Sequence, residues 1–130
     1  MFPGMLNHVK EIMITNVVVT SPERTLAEAA RLMEEKNIGS LVVLDKDRIV
    51  GIITERDFLK LAAKGYDSRT TKVSDGMNKS VVKCDSASTI TDAFVVMRKH
   101  RVRHLPIVEK ERLVGIVSLN DLVSVGKLLL

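Results

Sequence analysis

The sequence is poor in cysteine and in aromatic residues. Its 130 residues include one cysteine, Cys84, no tryptophan, one tyrosine and three phenylalanines. A single cysteine excludes an internal disulfide and argues against a zinc ribbon or a redox dithiol. The scarcity of aromatic side chains leaves few platforms on which nucleic-acid bases could stack. We therefore expect a protein of the cytoplasm, with no disulfide framework.

Long apolar runs and a strong charge bias are also missing. Hydrophobic residues make up 45% of the chain, but no apolar run approaches the roughly 18 to 20 residues that a membrane-spanning helix needs. The N-terminus lacks the pattern of a signal peptide. With 20 Lys and Arg against 16 Asp and Glu, the net charge of +4 is too small to identify an anionic partner. We expect a soluble globular protein.

The chain contains an internal repeat. A shift of 64 residues sets Gly51 on Gly115 and Met33 on Met97, and no gap is needed from Val9 onward. We predict an N-terminal segment at 1–8, a first repeat at 9–66, a polar linker at 67–72 and a second repeat at 73–130. Because a unit of about 60 residues is marginal by itself, the two repeats are expected to form one compact module.

Each repeat has the pattern of a β-α-β-β-α unit. Apolar residues at helical spacing follow a threonine cap in both repeats: Leu26, Ala29, Ala30 and Met33 after Thr25, then Ile90, Ala93, Phe94 and Met97 after Thr89. Two runs of branched residues separated by a short charged turn then predict a β-hairpin in each repeat. A final helix follows, near 56–64 and near 120–129. The predicted fold class is mixed α/β, of the α+β type.

The final helices carry more apolar residues than one buried face requires. These residues are Phe58, Leu59, Leu61 and Ala62 in the first helix, and Leu122, Val123, Val125, Leu128, Leu129 and Leu130 in the second. Part of this surface is expected to face a second subunit, which predicts a homodimer. The alternative is that the two repeats of one chain cover all of it.

A Gly-x-x-Thr/Ser-x-x-Asp element recurs where each hairpin meets its final helix. It consists of Gly51, Thr54 and Asp57 in the first repeat, and of Gly115, Ser118 and Asp121 in the second. A helix N-terminus favours anions, and a carboxylate there can accept hydrogen bonds from two vicinal sugar hydroxyls. The same residues also form acceptable capping boxes without a ligand. Two features favour a ligand: Asp replaces the usual Glu or Gln in both copies, and a glycine removes bulk before the site.

These features together resemble a cystathionine-β-synthase (CBS) domain pair, also called a Bateman module. The resemblance rests on the ungapped repeat, the β-α-β-β-α order, both glycine-to-aspartate elements and the segment Arg103-His104-Leu105-Pro106-Ile107-Val108. It covers nearly the whole chain. It implies a pseudo-two-fold pair with two clefts between the sheets, and regulatory binding of AMP, ADP, ATP or S-adenosylmethionine without a required cofactor.

The resemblance also assigns the adenosine part of a ligand to residues of both repeats. The aspartates, Asp57 and Asp121, would bind the ribose hydroxyls. The hydroxyl residues, Thr54 and Ser118, would bind the ribose or the first phosphate. Two valines in each repeat would line the adenine pocket: Val17 and Val18, then Val81 and Val82. The backbone beside Thr15 in the first repeat and beside Lys79 in the second would recognise the edge of the adenine.

The phosphate contacts implied by the resemblance differ between the repeats. Arg103 and His104 match the basic pair of the family at the start of the hairpin and would meet phosphates, which favours AMP, ADP or ATP over S-adenosylmethionine. In the first repeat, Ser40 stands where the second has His104, so unequal occupancy of the two clefts is expected. Arg56 is a candidate for a second phosphate contact or an exposed, solvated arginine.

Other chemistries have weaker sequence support. The basic cluster at 98–104 could bind nucleic acid weakly, but no DNA-binding motif accompanies it. His8, His100 and His104 lack the spacing of metal ligands, and Cys84 fits a buried, inert thiol better than a nucleophile. We expect a non-enzymatic sensor that signals to an unidentified protein partner. The alternative is a purely structural interaction or dimerisation module in which the aspartates only cap helices.

Overall fold

The order of helices and strands follows from a computed structural model that describes the backbone of residues 7–129 and the side chains of residues 7–125. The elements are a 3₁₀ turn (Val9–Glu11), β1 (Val19–Thr20), α1 (Leu26–Lys36), β2 (Ser40–Asp45), β3 (Arg48–Thr54), α2 (Glu55–Ala63), α3 (Val73–Gly76), β4 (Cys84–Asp85), α4 (Ile90–His100), β5 (His104–Glu109), β6 (Arg112–Ser118) and α5 (Leu119–Leu129). The predicted β-α-β-β-α order and the fold class are confirmed. A short helical turn precedes each copy.

The compact units of the structure differ from the sequence repeats at their opening segments. The N-unit comprises residues 18–81, and the C-unit comprises residues 7–17 together with 82–129. Val73, the first residue of the second repeat, is fully buried in the core of the N-unit. Val9, the first residue of the first repeat, is fully buried in the core of the C-unit. The opening segment of each repeat thus completes the unit that contains most of the other repeat.

The segment predicted as a linker, 67–72, is hydrogen-bonded to the start of α1. The N–H of Leu26 donates to the carbonyl of Thr71 at 2.9 Å, and the N–H of Ala27 donates to the carbonyl of Ser68 at 2.8 Å. The first N–H groups of a helix have no partner inside the helix. These residues therefore supply acceptors to α1.

Each unit contains a three-stranded sheet of the same topology. β1 pairs in parallel with β2, which pairs antiparallel with β3, and β4, β5 and β6 repeat this arrangement. Both hairpins turn through two residues with positive φ, at 51° and 65° for Lys46 and Asp47 and at 51° and 66° for Lys110 and Glu111. Two positive φ angles are what a type I′ turn requires, and its twist matches that of the strands. The predicted hairpins are confirmed.

The first helix of each repeat starts with the predicted capping box. Thr25 Oγ1 accepts the N–H of Glu28 at 3.1 Å, and Glu28 Oε1 accepts the N–H of Thr25 at 3.0 Å. Thr89 and Asp92 form the equivalent pair at 3.0 and 3.2 Å. The predicted apolar faces are buried except at one position in each helix: Ala30 is exposed, and Phe94 is only partly buried.

The final helices leave apolar side chains at the surface. Leu59 of α2 is 71% exposed, and Val123 of α5 is 40% exposed. Leu122 and Val125 are buried in the C-unit, whereas α2 has no fully buried side chain. The predicted apolar side chains of residues 128–130 lie outside the described residues. Between residues 7 and 129, no helix combines the length and apolarity needed to cross a bilayer.

Candidate functional site

The first candidate element lies where β3 continues directly into α2 in the N-unit. Thr54 has extended dihedral angles, φ −124° and ψ 167°, and is the N-cap of α2. Asp57 Oδ2 accepts the N–H of Thr54 at 2.9 Å and its hydroxyl at 3.1 Å. Both residues are partly buried. The aspartate therefore faces the helix N-terminus, as the sequence predicts for a cap.

The second candidate element has the same position between β6 and α5 in the C-unit. Asp121 Oδ2 accepts the N–H of Ser118 at 2.9 Å, and Ser118 Oγ accepts the N–H of Asp121 at 3.1 Å. The two hydroxyls differ in role, because Thr54 donates its hydroxyl proton to Asp57 whereas Ser118 accepts from the backbone. In both elements, no hydrogen bond to Oδ1 of the aspartate is present among residues 7–125.

A backbone segment from the opening of the opposite repeat pairs beside each element. Ile14 exchanges backbone hydrogen bonds of 2.9 and 3.0 Å with Ile116, two residues before Ser118. Asn78 exchanges bonds of 3.0 and 2.9 Å with Ile52, two residues before Thr54. Thr15 therefore belongs with the C-unit element, and Lys79 belongs with the N-unit element. Sequence periodicity gave no indication of this exchange.

The two glycines of the elements make room for methionine side chains. A Cβ at Gly51 would lie 2.8 Å from Cγ of Met77, and a Cβ at Gly115 would lie 2.7 Å from Cγ of Met13. Neither glycine has a positive φ. The glycines therefore give no separate support for a ligand site, because packing against the opposite opening segment already requires them.

The register of the hairpins sets the first strand residue beside the hydroxyl residue. Ser40 pairs with Thr54, and His104 pairs with Ser118. Ser40 is 6% exposed, whereas His104 is partly buried and Arg103 is exposed. The carbonyl of Arg103 also accepts the N–H of Leu119 at 2.8 Å, which ties this segment to the start of α5. The basic pair thus lies beside the hydroxyl of the C-unit element.

The candidate residues fall into two groups, one in each unit. The N-unit contains Val18, Ser40, Thr54, Arg56, Asp57, Lys79 and Val81, and the C-unit contains Thr15, Val17, Val82, Arg103, His104, Ser118 and Asp121. All four valines are partly buried, and Arg56, Thr15 and Lys79 are exposed. Val18 packs against the N-unit core and Val82 packs against the C-unit core.

A groove that the sequence did not predict lies between α1 and α2 in the N-unit. Its volume is about 340 Å³, and it is lined by Ala30, Met33, Glu34, Asn37, Ile38, Glu55 and Phe58. Ala30 is small and exposed, so the groove is open on the face of α1 that we expected to be buried in the core. A second groove of about 690 Å³ lies between α1 and the β2–β3 turn. Neither groove includes Thr54 or Asp57.

The structure offers no alternative metal or thiol chemistry in the part of the chain it describes. No group of three His, Cys, Asp or Glu residues there could hold a metal ion. Cys84 is buried. Burial raises the pKa of its thiol, and the nearby Asp92 carboxylate adds to the increase. A thiol with a raised pKa is a poor nucleophile at neutral pH.

The chain belongs to the CBS domain family. The family model matches twice, at residues 9–64 and 72–127. The chain is 39% identical over 118 residues to the CBS domain-containing protein YhcV of Bacillus subtilis. The aligned region covers 90% of this chain and 84% of that protein. The crystal structure of the CBS-domain containing protein ATU1752 from Agrobacterium tumefaciens matches with a TM-score of 0.89 and 37% identity, over 97% and 98% of the two chains.

A more distant match has been crystallised with ligands. The CBS domain pair of protein MJ0100 was solved in complex with 5′-methylthioadenosine and S-adenosyl-L-methionine, and it matches with a TM-score of 0.87 and 24% identity, over 94% of this chain and 97% of that one. A likeness at this identity establishes the shared fold.

Proposed function

We propose that this chain is a non-catalytic regulatory module that binds adenosine-containing ligands at its two glycine-to-aspartate elements. The main support is the geometry of Asp121. Its Oδ2 accepts the N–H of Ser118 at the start of α5, and its Oδ1 has no hydrogen bond among the described residues. A carboxylate has about four acceptor positions, so it can cap a helix and still accept hydrogen bonds from ribose hydroxyls.

We propose AMP, ADP or ATP as the preferred ligands, ahead of S-adenosylmethionine, with tighter binding in the C-unit group. His104 pairs with Ser118 there, and Arg103 directly precedes His104. An arginine can bind phosphate oxygens in a bidentate manner. In the N-unit group, the buried Ser40 takes the place of His104. The N-unit group contains Arg56 and Lys79 but no counterpart of the Arg103–His104 pair at the start of its hairpin, and we expect it to bind phosphate more weakly.

The biological output in this proposal is a change in association with a partner protein. We also propose that the chain forms a homodimer, because Leu59 and Val123 expose apolar surface on α2 and α5. A cytoplasmic location completes the proposal, since the one cysteine is buried and unpaired and such a chain suits a reducing compartment.

A structural module without a ligand is the second candidate function. The observation that favours it is that Asp57 and Asp121 each accept a backbone N–H at the start of their helices. Such caps stabilise a helix by about 1 kcal/mol without any ligand. In this case the aspartates would contribute to stability only.

Thermal melting of the wild type and three variants separates these functions. The variants are Asp57→Asn, Asp121→Asn and, as a matched control, Asp92→Asn in the capping box of α4. An asparagine keeps an oxygen that can cap the helix but removes the charge that a ribose would use. Each protein would be melted with AMP, ADP, ATP, S-adenosylmethionine, NAD and GTP. A ligand at a hundred times its dissociation constant adds about 2.7 kcal/mol, on the order of 10 °C for this size.

The expected result is a rise in melting temperature that is selective for adenosine ligands. Asp121→Asn should weaken binding on the order of 30-fold to 1000-fold, or about 2 to 4 kcal/mol, because a charged hydrogen-bond acceptor is lost. Asp57→Asn should have a smaller effect on nucleotides, and Asp92→Asn should bind like the wild type. Absence of a shift with every ligand would leave the structural module as the function.

A further inference from the structure

We infer that the connection between α4 and β5 is a docking surface for an acidic segment of a partner protein, and that this segment and a nucleotide phosphate compete for Arg103. The docking surface concerns the C-unit alone, whereas the competition rests on the proposed function. The surface, here termed the basic patch, consists of Arg98, Lys99, Arg101 and Arg103. All four side chains are exposed.

The basic patch accounts for the whole net charge of the chain. Its four cations fall within six consecutive residues, 98–103, and the remainder of the chain has 16 Lys and Arg against 16 Asp and Glu. No ion pair between residues 7 and 125 includes a member of the patch, whereas Arg24 pairs with Glu28 at 3.0 Å. A cluster of one sign without counter-charges attracts a partner of the opposite sign.

The fold does not require the basic patch, because the first repeat builds the same connection without it. There, α1 also ends in a left-handed residue and is followed by the first hairpin strand. A helix C-terminus favours cations, which accounts for Arg98 and Lys99 in the last turn of α4 but not for the two arginines beyond it. The equivalent positions of the first repeat hold Glu34, Glu35, Asn37 and Gly39. The patch therefore serves something other than the architecture of the unit.

The conformation of Arg101 provides an independent argument. Arg101 ends α4 in the left-handed region with φ 56°, and its counterpart Asn37 ends α1 with φ 53°. Asparagine and glycine adopt this conformation readily, whereas other residues adopt it at a cost. Since Arg101 has no ion pair among the described residues, no contact within residues 7–125 offsets this cost. A contact with a partner accounts for an arginine here.

The composition of the basic patch favours an acidic protein segment over a nucleic acid. Residues 98–104 include no aromatic side chain on which a base could stack. Binding of a single strand also uses a basic track several nucleotides long, and the chain outside the patch is formally neutral. Three of the four cations are arginines, whose guanidinium groups bind carboxylates in a bidentate manner. A short run of Asp or Glu residues matches this surface.

Arg103 joins the basic patch to the candidate ligand site of the C-unit. Its carbonyl accepts the N–H of Leu119 at 2.8 Å, and the next residue, His104, pairs with Ser118. In the proposed function, Arg103 binds the phosphate of the nucleotide. A guanidinium that holds a phosphate is less available to a carboxylate, so each ligand weakens the binding of the other. Nucleotide binding would then release the acidic segment of the partner.

The first experiment measures the binding of a fluorescein-labelled decaglutamate peptide by fluorescence anisotropy, without nucleotide. Arg101→Asn removes one charge of the basic patch and introduces a residue that tolerates the left-handed conformation. Lys110→Asn is the matched control, because Lys110 is also exposed and has φ 51°. Lys110 lies beyond the far end of β5, roughly 20 Å along the strand from the patch. This separation exceeds the screening length of about 10 Å at 0.1 M salt.

The docking surface predicts unequal effects of these substitutions. We expect Arg101→Asn to weaken peptide binding about threefold to fivefold, and Lys110→Asn to change it less than about twofold. The double variant Arg98→Gln with Arg101→Asn should weaken it on the order of tenfold or more. An equal loss in Lys110→Asn, or no peptide binding by the wild type, would overturn the docking surface. Tighter binding of an oligothymidine of equal length would assign the patch to nucleic acid and overturn it as well.

The second experiment titrates the bound peptide with ADP, adenosine and inorganic pyrophosphate. ADP should displace the peptide at lower concentrations than pyrophosphate, because the nucleoside adds binding energy, and adenosine should leave the peptide bound. If ADP raises the melting temperature without displacing the peptide, the competition for Arg103 is wrong and the proposed function stands. If the peptide binds but no nucleotide raises the melting temperature, the proposed function and the competition both fail, and the docking surface stands.

Discussion

Met77 occupies the space that a side chain on Gly51 would need. A Cβ at Gly51 would lie 2.8 Å from Met77 Cγ and 3.1 Å from the backbone carbonyl of Asn78. Both neighbours belong to the opening segment of the second repeat. The contact therefore joins the hairpin of one repeat to the start of the other within the N-unit.

Replacing this glycine should destabilise the fold. We expect Gly51→Ala to lower the free energy of unfolding by about 1 to 2 kcal/mol, because overpacking outweighs the conformational advantage of alanine over glycine. Urea unfolding would be compared in the wild type and in Met77→Ala. The substitution should cost less in the Met77→Ala background. An equal cost in both backgrounds would show that the two residues are not coupled.

The hairpin turns should accept better turn residues. Lys46 and Asp47 both have positive φ, and Asn-Gly is the preferred pair for such a turn. We expect the double substitution Lys46→Asn with Asp47→Gly to raise the free energy of unfolding by roughly 0.5 to 1 kcal/mol. The corresponding double substitution in the second hairpin, Lys110→Asn with Glu111→Gly, tests the same turn geometry in the other repeat. A loss of stability at both turns would contradict the assigned turn geometry.

The end of α4 should be stabilised by the residue that ends α1. Arg101→Asn is expected to raise the free energy of unfolding by about 0.5 to 1 kcal/mol, because asparagine tolerates the left-handed conformation. The reciprocal change Asn37→Arg should lower it by a similar amount. Both would be measured at low protein concentration and high salt, where association contributes little. Opposite signs would contradict this explanation of Arg101.

Cys84 should give a distinct response to alkaline pH. Because burial raises the pKa of its thiol above the usual 9.0, the folded protein favours the neutral form. The contribution of the neutral thiol to the free energy of unfolding is fully present below the pKa of Cys84 in the unfolded chain. It is lost as the pH rises through the pKa of Cys84 in the folded protein. Urea unfolding between about pH 8 and about pH 10.5 should show a steeper loss in the wild type than in Cys84→Ala. Parallel curves would contradict a thiol stabilised by burial. Alkylation at about pH 8 should be slow until the protein unfolds.

Much of the fold could be predicted because the repeat supplies each pattern twice. The capping threonines Thr25 and Thr89 and the paired branched runs specify local structure, which depends on neighbouring residues. The exchange of opening segments could not be predicted. Met13 and Met77 occupy equivalent positions, and so do Gly51 and Gly115, so the same pattern fits pairing within a repeat or between repeats.

The position of the two candidate elements at helix starts was predictable from the sequence, but their chemistry was not. Asp57 and Asp121 lie at helix starts as expected. A carboxylate at that position can accept backbone N–H groups with one oxygen and sugar hydroxyls with the other, so the sequence pattern is identical for both roles. The groove at Ala30 was missed because helical periodicity gives the direction of an apolar stripe, whereas its width depends on tertiary packing.

The exchanged opening segments make the two halves of the polypeptide interdependent. A chain divided within 67–72 would yield two fragments, and each would carry the piece that completes the other's core, with Val9 on one and Val73 on the other. Neither fragment holds a full set of partners for its own hydrophobic residues. We therefore expect each half to be unfolded by itself and the two halves to fold together when they are mixed. The unit of folding is then the pair of repeats and not the single repeat.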